Sequence, residues 1–401
     1  MTEPGSGIGG RWSPARFKVV ALLGATQIIA WGTTFYLLAV LATPIARDTG
    51  WSTTAVVGGL SWSLLFSGLA APRVGRVIDR YGGRWTLVGG SLLIAAGLTL
   101  LGAAANLAIY YAAWTVLGLG MAAGLYDAAF ATIGRLYGAS ARPSITGLTL
   151  LGGLASTVAW PIIAVLEGNF GWRTTCFVLA GVHALVSLPL HVFALPKPPP
   201  AAMAVGQSIE PGNAPTPVSA RTNRLFFLIA VAFTLYSFIS SGLSVHILEV
   251  LRRLGFEVAG AIALGMVIGP AQVTSRILEF ALGQRAHPIW TARTGIGLCT
   301  VGIVLLLAIG PGGAIVAMAV YGAGNGVMTI ARGTLPLALF GPHGYGARIG
   351  RIARPALIAQ ASAPIALAAV LEHAGASALL AIIAVIALCA AATFWLIRPR
   401  A

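Results

Sequence analysis

Two ionisable residues stand inside long apolar runs: Asp127 in GLYDAAF and Arg332 in TIARGTL. Charges at bilayer depth are costly and face a protein interior or a water-filled path. Arg332 could anchor an anionic group or balance Asp127, and Asp127 could take up and release a proton. Polar side chains recur around them at helical spacing. At about 100° per residue, Tyr321, Asn325 and Arg332 fall in one narrow stripe. Gln27, Trp31 and Phe35 stack at i, i+4, i+8, as do Tyr236, Ser240 and Ser244, and Gln360 is a further amide in an apolar run. Such residues describe a cavity with aromatic walls, a few amides and hydroxyls, and one charge of each sign. The same stripes also serve as hydrogen-bonded contacts between helices in lipid.

Other chemistry finds little support. An integral-membrane enzyme needs clustered acids and histidines or a nucleophile–base pair, and no histidine stands at comparable spacing from Asp127. Cys176, Cys299 and Cys389 are isolated in apolar runs, without disulfide or metal-ligand spacing. No cofactor and no metal site are expected.

The elements that must position these residues are membrane helices. The chain is 57% hydrophobic and 9% charged, against about 25% charged residues in soluble domains. Apolar runs long enough for a hydrocarbon core of about 30 Å recur throughout. They are expected at 19–42, 54–72, 85–105, 108–134, 145–166 and 174–194, then at 225–250, 258–281, 289–309, 312–335, 355–371 and 376–397. The fold class is therefore an all-α membrane protein of twelve helices in two sets of six. A tail at 1–18 precedes the first bundle (19–194), and a second bundle occupies 224–401. Between them, residues 195–223 hold seven prolines and read as a flexible linker.

Charge placement orients the chain. Lys and Arg accumulate on the cytoplasmic side of membrane helices. With the N-terminus inside, nineteen basic residues fall in inside segments and four (Arg47, Arg173, Arg252, Arg253) in outside loops. Both termini are thus expected in the cytoplasm, in a multi-pass protein of a bacterial inner membrane. The net charge of +15 faces anionic lipid head groups. Its scatter among short loops excludes a nucleic-acid partner.

The halves echo each other. GRVIDRYGGR (75–84), after the second span, has a counterpart in SRILEFALGQR (275–285), with Arg76 matching Arg276 and Asp79 matching Glu279. The fifth and eleventh spans both end in VLE, at Glu167 and Glu372. A six-helix repeat is the architecture of transporters that rock two halves about a central site.

The pattern Gly75-x-x-x-Asp79-Arg80-x-Gly82-Gly83-Arg84, with Gly171-Trp172-Arg173 before the sixth span, resembles the signature loop and associated features of the major facilitator superfamily. A weaker resemblance, to its monocarboxylate-transporter-like branch, rests on Gly50-Trp51-Ser52 and Pro72. That branch usually carries an Asp/Arg pair in helix 8, where this chain has Gln272 and Arg276. Arg276 is assigned here to the repeated loop, and no substrate residue is carried over. The superfamily resemblance implies secondary active transport by alternating access, in which Gly75, Asp79, Arg80, Gly83 and Arg84, with Arg276 and Glu279, form a cytoplasmic gate. It places helices 1, 4, 7 and 10 around the cavity, so Asp127 and Arg332 would face each other. Physics points Asp79 at the positive N-terminus of helix 11. Two other readings remain: Asp127 paired with Arg84 in a latch, and Arg332 snorkelling to the surface. The expected partners are a small-molecule substrate, protons and lipid, in a protein acting as a monomer. Uptake of a small organic anion and proton-driven efflux of drugs or metalloids both fit.

Overall fold

The computed structural model describes residues 13–196, 220–283 and 286–398. Most of the expected linker and the first twelve residues of the tail lie outside them. Eight helical stretches are long and apolar enough to cross a membrane. Several fold back on themselves, making twelve passages: α1 (Pro14–Thr49), α2 (Thr53–Tyr81), α3 (Gly83–Gly102), α4 (107–137), α5 (142–170), α6 (172–194), α7 (Ala220–Arg253), α8 (Val258–Leu282), α9 (Pro288–Ile309), α10 (Ala314–Phe340), α11 (345–374) and α12 (376–396).

Local chemistry sets many of these boundaries. The Ser13 hydroxyl accepts from the Arg16 N–H, and Pro14 fills the first helical position. Consequently α1 begins five residues before the apolar run does. Ser52 and Asn106 cap α2 and α4 in the same way. The reversals from α5 to α6 and from α11 to α12 turn on Gly171 (φ 75°) and Gly375 (φ 83°), left-handed conformations that suit glycine. Both glycines follow a VLE segment, so the repeat is visible in the turns themselves.

The halves differ in regularity. In the second, α7, α8, α9 and α10 run unbroken for 34, 25, 22 and 27 residues. In the first, α1 is interrupted between Thr33 and Leu38, α4 at Leu125, and α5 at Gly153–Leu154. Backbone groups freed inside a membrane need partners. The Thr33 and Thr34 hydroxyls donate to the carbonyls of Ile29 and Ala30, and Gln27 Nε2 donates to the Gly124 carbonyl at 2.7 Å.

Each half has its own apolar core, and the α2–α11 seam joins them: Ala353, Leu357 and Ala361 of α11 pack with Leu64 and Ala71 of α2. Large apolar side chains such as Leu185, Phe193, Met266 and Leu282 are exposed on the outside, as lipid contact requires. The start of α1 and the end of α12 lie on one face. Arg16 at the start of α1 reaches the α4–α5 turn through the Ser140 carbonyl, Arg142 reaches the α8–α9 turn, and Arg293 in α9 reaches the Ile397 carbonyl beyond α12. We call this the terminal face.

Candidate functional site

Among the described residues, charged and polar groups join the halves at four places described below, from the terminal face inward. At the end of α2, Asp79 accepts from the backbone N–H groups of Gly346 (2.8 Å) and Ala347 (2.7 Å), at the start of α11. A carboxylate here meets the positive end of the helix dipole. The helices approach backbone to backbone: a Cβ on Gly75 would lie 2.0 Å from the Gly346 carbonyl oxygen. Gly83 starts α3 against Thr132 of α4, leaving a Cβ no room. Arg80 is exposed beside the Tyr81 ring, and Arg84 donates to the Val192 carbonyl of α6. The structure thus binds Arg84 to α6 and away from Asp127.

The second tie is the counterpart of the first. Glu279, near the end of α8, accepts from the Thr291 hydroxyl (2.7 Å) and lies 3.7 Å from Arg142 at the start of α5. Arg142 also donates to the carbonyls of Gly283 (2.6 Å) and Ala286 (2.5 Å). In the α8–α9 turn, burial and then repulsion from Arg142 and Arg293 lower the His287 pKa. Its Nδ1 accepts from the Ile289 N–H at 3.1 Å.

The third tie is the expected charged pair. Arg332 Nε and Nη2 donate to Asp127 Oδ1 (3.1 Å) and Oδ2 (2.7 Å), a bidentate bridge between α10 and α4. The break at Leu125 starts a new helical segment at Tyr126, putting Asp127 in its first turn, where the dipole favours a carboxylate. Arg332 therefore turns inward to its partner and does not snorkel.

The fourth tie involves Arg276. This residue is buried inside the bundle (6% exposed), whereas Arg76, its match in the repeat, is exposed. Arg276 donates to the carbonyls of Gly326 (3.3 Å, α10) and Thr149 (3.4 Å, α5), to Gln272 Oε1 (3.5 Å) and to the Thr329 hydroxyl (3.4 Å). All four acceptors are neutral, and no carboxylate lies within 4 Å of it among the described residues. Thr329 in turn donates to the Asn325 carbonyl at 3.1 Å. Tyr36, Tyr126 and Tyr236 lie within electrostatic reach of the guanidinium.

The model of the Major Facilitator Superfamily matches residues 23–353. The chain belongs to the major facilitator superfamily. It is a membrane transport protein and not an enzyme. A search of curated protein sequences finds no match. Among solved structures, the human organic anion transporter MFSD10 (TETRAN) is similar at a TM-score of 0.75 and 16% identity, over 95% of this chain and 100% of that one. The proton:xylose symporter XylE, bound to 6-bromo-6-deoxy-D-glucose, is similar at a TM-score of 0.74 and 14% identity, over 96% of each chain. At these identities the likeness shows the superfamily fold.

Within this superfamily fold the expected cavity residues separate into groups. Tyr236 and Ser240 of α7 both donate to Asn325 Oδ1 of α10, the latter at 3.1 Å, a cluster one turn from Thr329. Gln27 is fully buried and bonded to the α4 break, and Trp31 Nε1 donates to Gln27 Oε1 at 3.2 Å. Trp31 nevertheless packs on Tyr126, ring centroids 5.0 Å apart. Tyr321 is 2% exposed within the second core, against Cys299 and Gly302. Its backbone and Cβ lie against α9, while its ring lies within reach of Ser240 and Tyr236 of α7 and its hydroxyl is buried without a hydrogen-bond partner among the described residues. Gln360 is half-buried on α11, and its side-chain amide has no hydrogen-bond partner among the described residues. Reading the sequence for cavity residues passed over Thr149, Thr329, Tyr36 and Tyr126, and placed Arg276 in a loop. One signal was available: Arg276 lies within the apolar run 258–281.

Proposed function

We propose that this protein is a secondary active transporter that moves a small organic anion by alternating access, with Arg276 as the cargo anchor. One observation carries the reading: a buried guanidinium whose four hydrogen bonds, all 3.3–3.5 Å long, go to neutral acceptors. A buried charge is costly unless it is paired and well bonded. An arriving carboxylate would supply the missing charge in the bidentate geometry that guanidinium favours. Arg332 is a poorer anchor because Asp127 already neutralises it.

In this reading Trp31 and Tyr126 offer an aromatic wall to the cargo, and Asn325, Tyr236, Ser240 and Gln360 offer polar contacts. The Asp127–Arg332 bridge acts as a lock between the halves. Protonating Asp127 would remove its charge and weaken that lock, which couples a proton to the cycle. The basic surplus on the terminal face supports placing that face in the cytoplasm. In this reading the ties close the cytoplasmic side, as in an outward-facing carrier. The names of the two similar structures, an organic anion transporter and a proton symporter, agree with the reading without carrying it.

The test is counterflow of labelled pyruvate, succinate and benzoate in proteoliposomes. The expected result is uptake of at least one carboxylate by the wild type and none above background by Arg276→Gln. Carboxylate uptake by Arg276→Gln at the wild-type rate would overturn the assignment.

A further inference from the structure

Arg276 belongs to α8, yet one of its partners, the Thr149 carbonyl, belongs to α5 in the other half. The room for this contact comes from Gly153, where a Cβ would lie 1.9 Å from Arg276 Nη1 and 3.1 Å from Cζ. Gly153 has φ −65° and ψ −17°, a right-handed conformation open to every residue. Its glycine therefore serves space and not backbone shape. The α5 helix is interrupted at this point, between Gly152 and Ala155. Thr149 O already accepts the Gly153 N–H at 3.0 Å, so the arginine is its second and more distant donor.

The remaining partners of Arg276 are Gln272 in its own helix and Gly326 and Thr329 in α10, all in the second half. They hold the guanidinium near the centre whether or not it touches α5. From this asymmetry we infer that Gly153 and the Thr149 carbonyl form a dock for Arg276 that cargo competes for, so that anion binding releases a tie between the halves. The inference rests on Arg276 being the cargo anchor. An anion accepting from Nη1 would compete with the Thr149 carbonyl for the N–H now donated to it. The empty carrier then rests with its terminal face closed, and the loaded carrier has one tie fewer to break. Gly153 is a positioning residue in this scheme. Its replacement should shift the conformational balance while leaving the anchor able to bind.

The experiment is a distance measurement between spin labels at Ala139→Cys, in the α4–α5 turn, and Leu282→Cys, at the end of α8. Both positions are exposed. The background carries Cys389→Ser, since the other two cysteines are buried. Benzoate serves as the probe, a monoanion whose ring suits the Trp31–Tyr126 wall. In the wild type, benzoate is expected to increase the separated population by about five-fold, the effect of losing one interhelical hydrogen bond. Gly153→Ala should show that increase without benzoate and should bind benzoate within about three-fold of wild type. A wild-type distance distribution in unliganded Gly153→Ala would overturn the dock. So would a loss of benzoate affinity as large as that of Arg276→Gln, because Gly153 would then be part of the cargo site. If Gly153→Ala is not recovered from the membrane, unliganded Arg276→Lys is measured instead. Its single ammonium cannot span α5 and α10 together, so it too should populate the separated state, and a wild-type distribution would overturn the dock. If the wild type binds no carboxylate, the cargo reading fails by itself, while the unliganded Gly153→Ala shift still decides whether the dock holds the halves.

Discussion

Asp79 and Glu279 occupy matching places near the terminal-face ends of α2 and α8, and each reaches the helix that starts across the interface. Asp79 meets the backbone of α11 directly, with two N–H donors at 2.8 and 2.7 Å. Glu279 meets α5 through a side chain, Arg142, at 3.7 Å. The arginine three residues before each acid differs more: Arg76 is exposed, while Arg276 is buried among four neutral acceptors. A repeated sequence thus keeps the place of a contact while its chemistry diverges. The first copy is a helix-capping clasp. In the second the acid forms a looser tie, and the arginine has moved inside the bundle.

The largest test of this divergence compares Arg276→Gln with Arg76→Gln in proteoliposome carboxylate flux. Hydrogen bonds to charged groups contribute about 1.5–3 kcal/mol each, so losing a bidentate pair, about 3 kcal/mol or more, is expected to cut flux by at least about 100-fold. Arg76→Gln is expected to stay within about two-fold, since surface substitutions change little. Equal effects would erase the distinction between the copies.

Next come the glycines. A Cβ on Gly75 would strike the Gly346 backbone at 2.0 Å, whereas the atoms nearest a Cβ on Gly283 belong to the movable carboxylate of Glu279. Gly75→Ala is expected to raise cysteine labelling from the terminal face about 30-fold, because the α2–α11 seam must part. Gly283→Ala is expected to raise it about two-fold, a side chain being able to yield.

The acids follow. Asp79→Asn loses a charge–dipole contact and is expected to raise the same labelling about ten-fold. Glu279→Gln is expected to raise it about three-fold, since its partner is more distant and partly exposed. The reverse order would mean that the second copy is the stronger clasp.

Smallest is a pH effect confined to the second copy. The His287 pKa is lowered in the fold by burial, then by Arg142 and Arg293. Its contribution to stability is therefore present above the unfolded-state value and lost as pH falls through the lower folded value. Acidification should lower the protection factor of the Ile289 amide, whose N–H is capped by His287, once the slower intrinsic exchange at lower pH is divided out. Amides at Gly346 and Ala347 should stay protected over that range. Uniform exchange at both places would remove the asymmetry.

Much of the architecture was legible beforehand because a membrane leaves few options. Backbone in lipid must bond to itself, so apolar runs become helices, and the duplicated charge patterns mark the two halves. Asp79 was readable for a similar reason: a lone carboxylate at a helix end has few better partners than another helix's N-terminus. The interruptions of α1, α4 and α5 were hidden. Glycines stand beside two of them, Gly124 and the Gly152–Gly153 pair, but the apolar runs around them read as continuous helices, and the freed Gly124 carbonyl is bonded by Gln27, distant in sequence. Arg276 was misplaced because the repeat aligns it with a surface arginine, and because half its acceptors are backbone carbonyls, which side-chain reading does not see. The α10 stripe linked Tyr321 to Asn325, yet a polar stripe marks contact with protein without telling core from cavity.

The most direct test of the central claim is equilibrium binding of benzoate to the purified, full-length protein at fixed pH, compared across wild type, Arg76→Gln and Arg276→Gln. The account predicts equal affinity for wild type and Arg76→Gln and no measurable binding to Arg276→Gln. Undiminished benzoate binding to Arg276→Gln would contradict it.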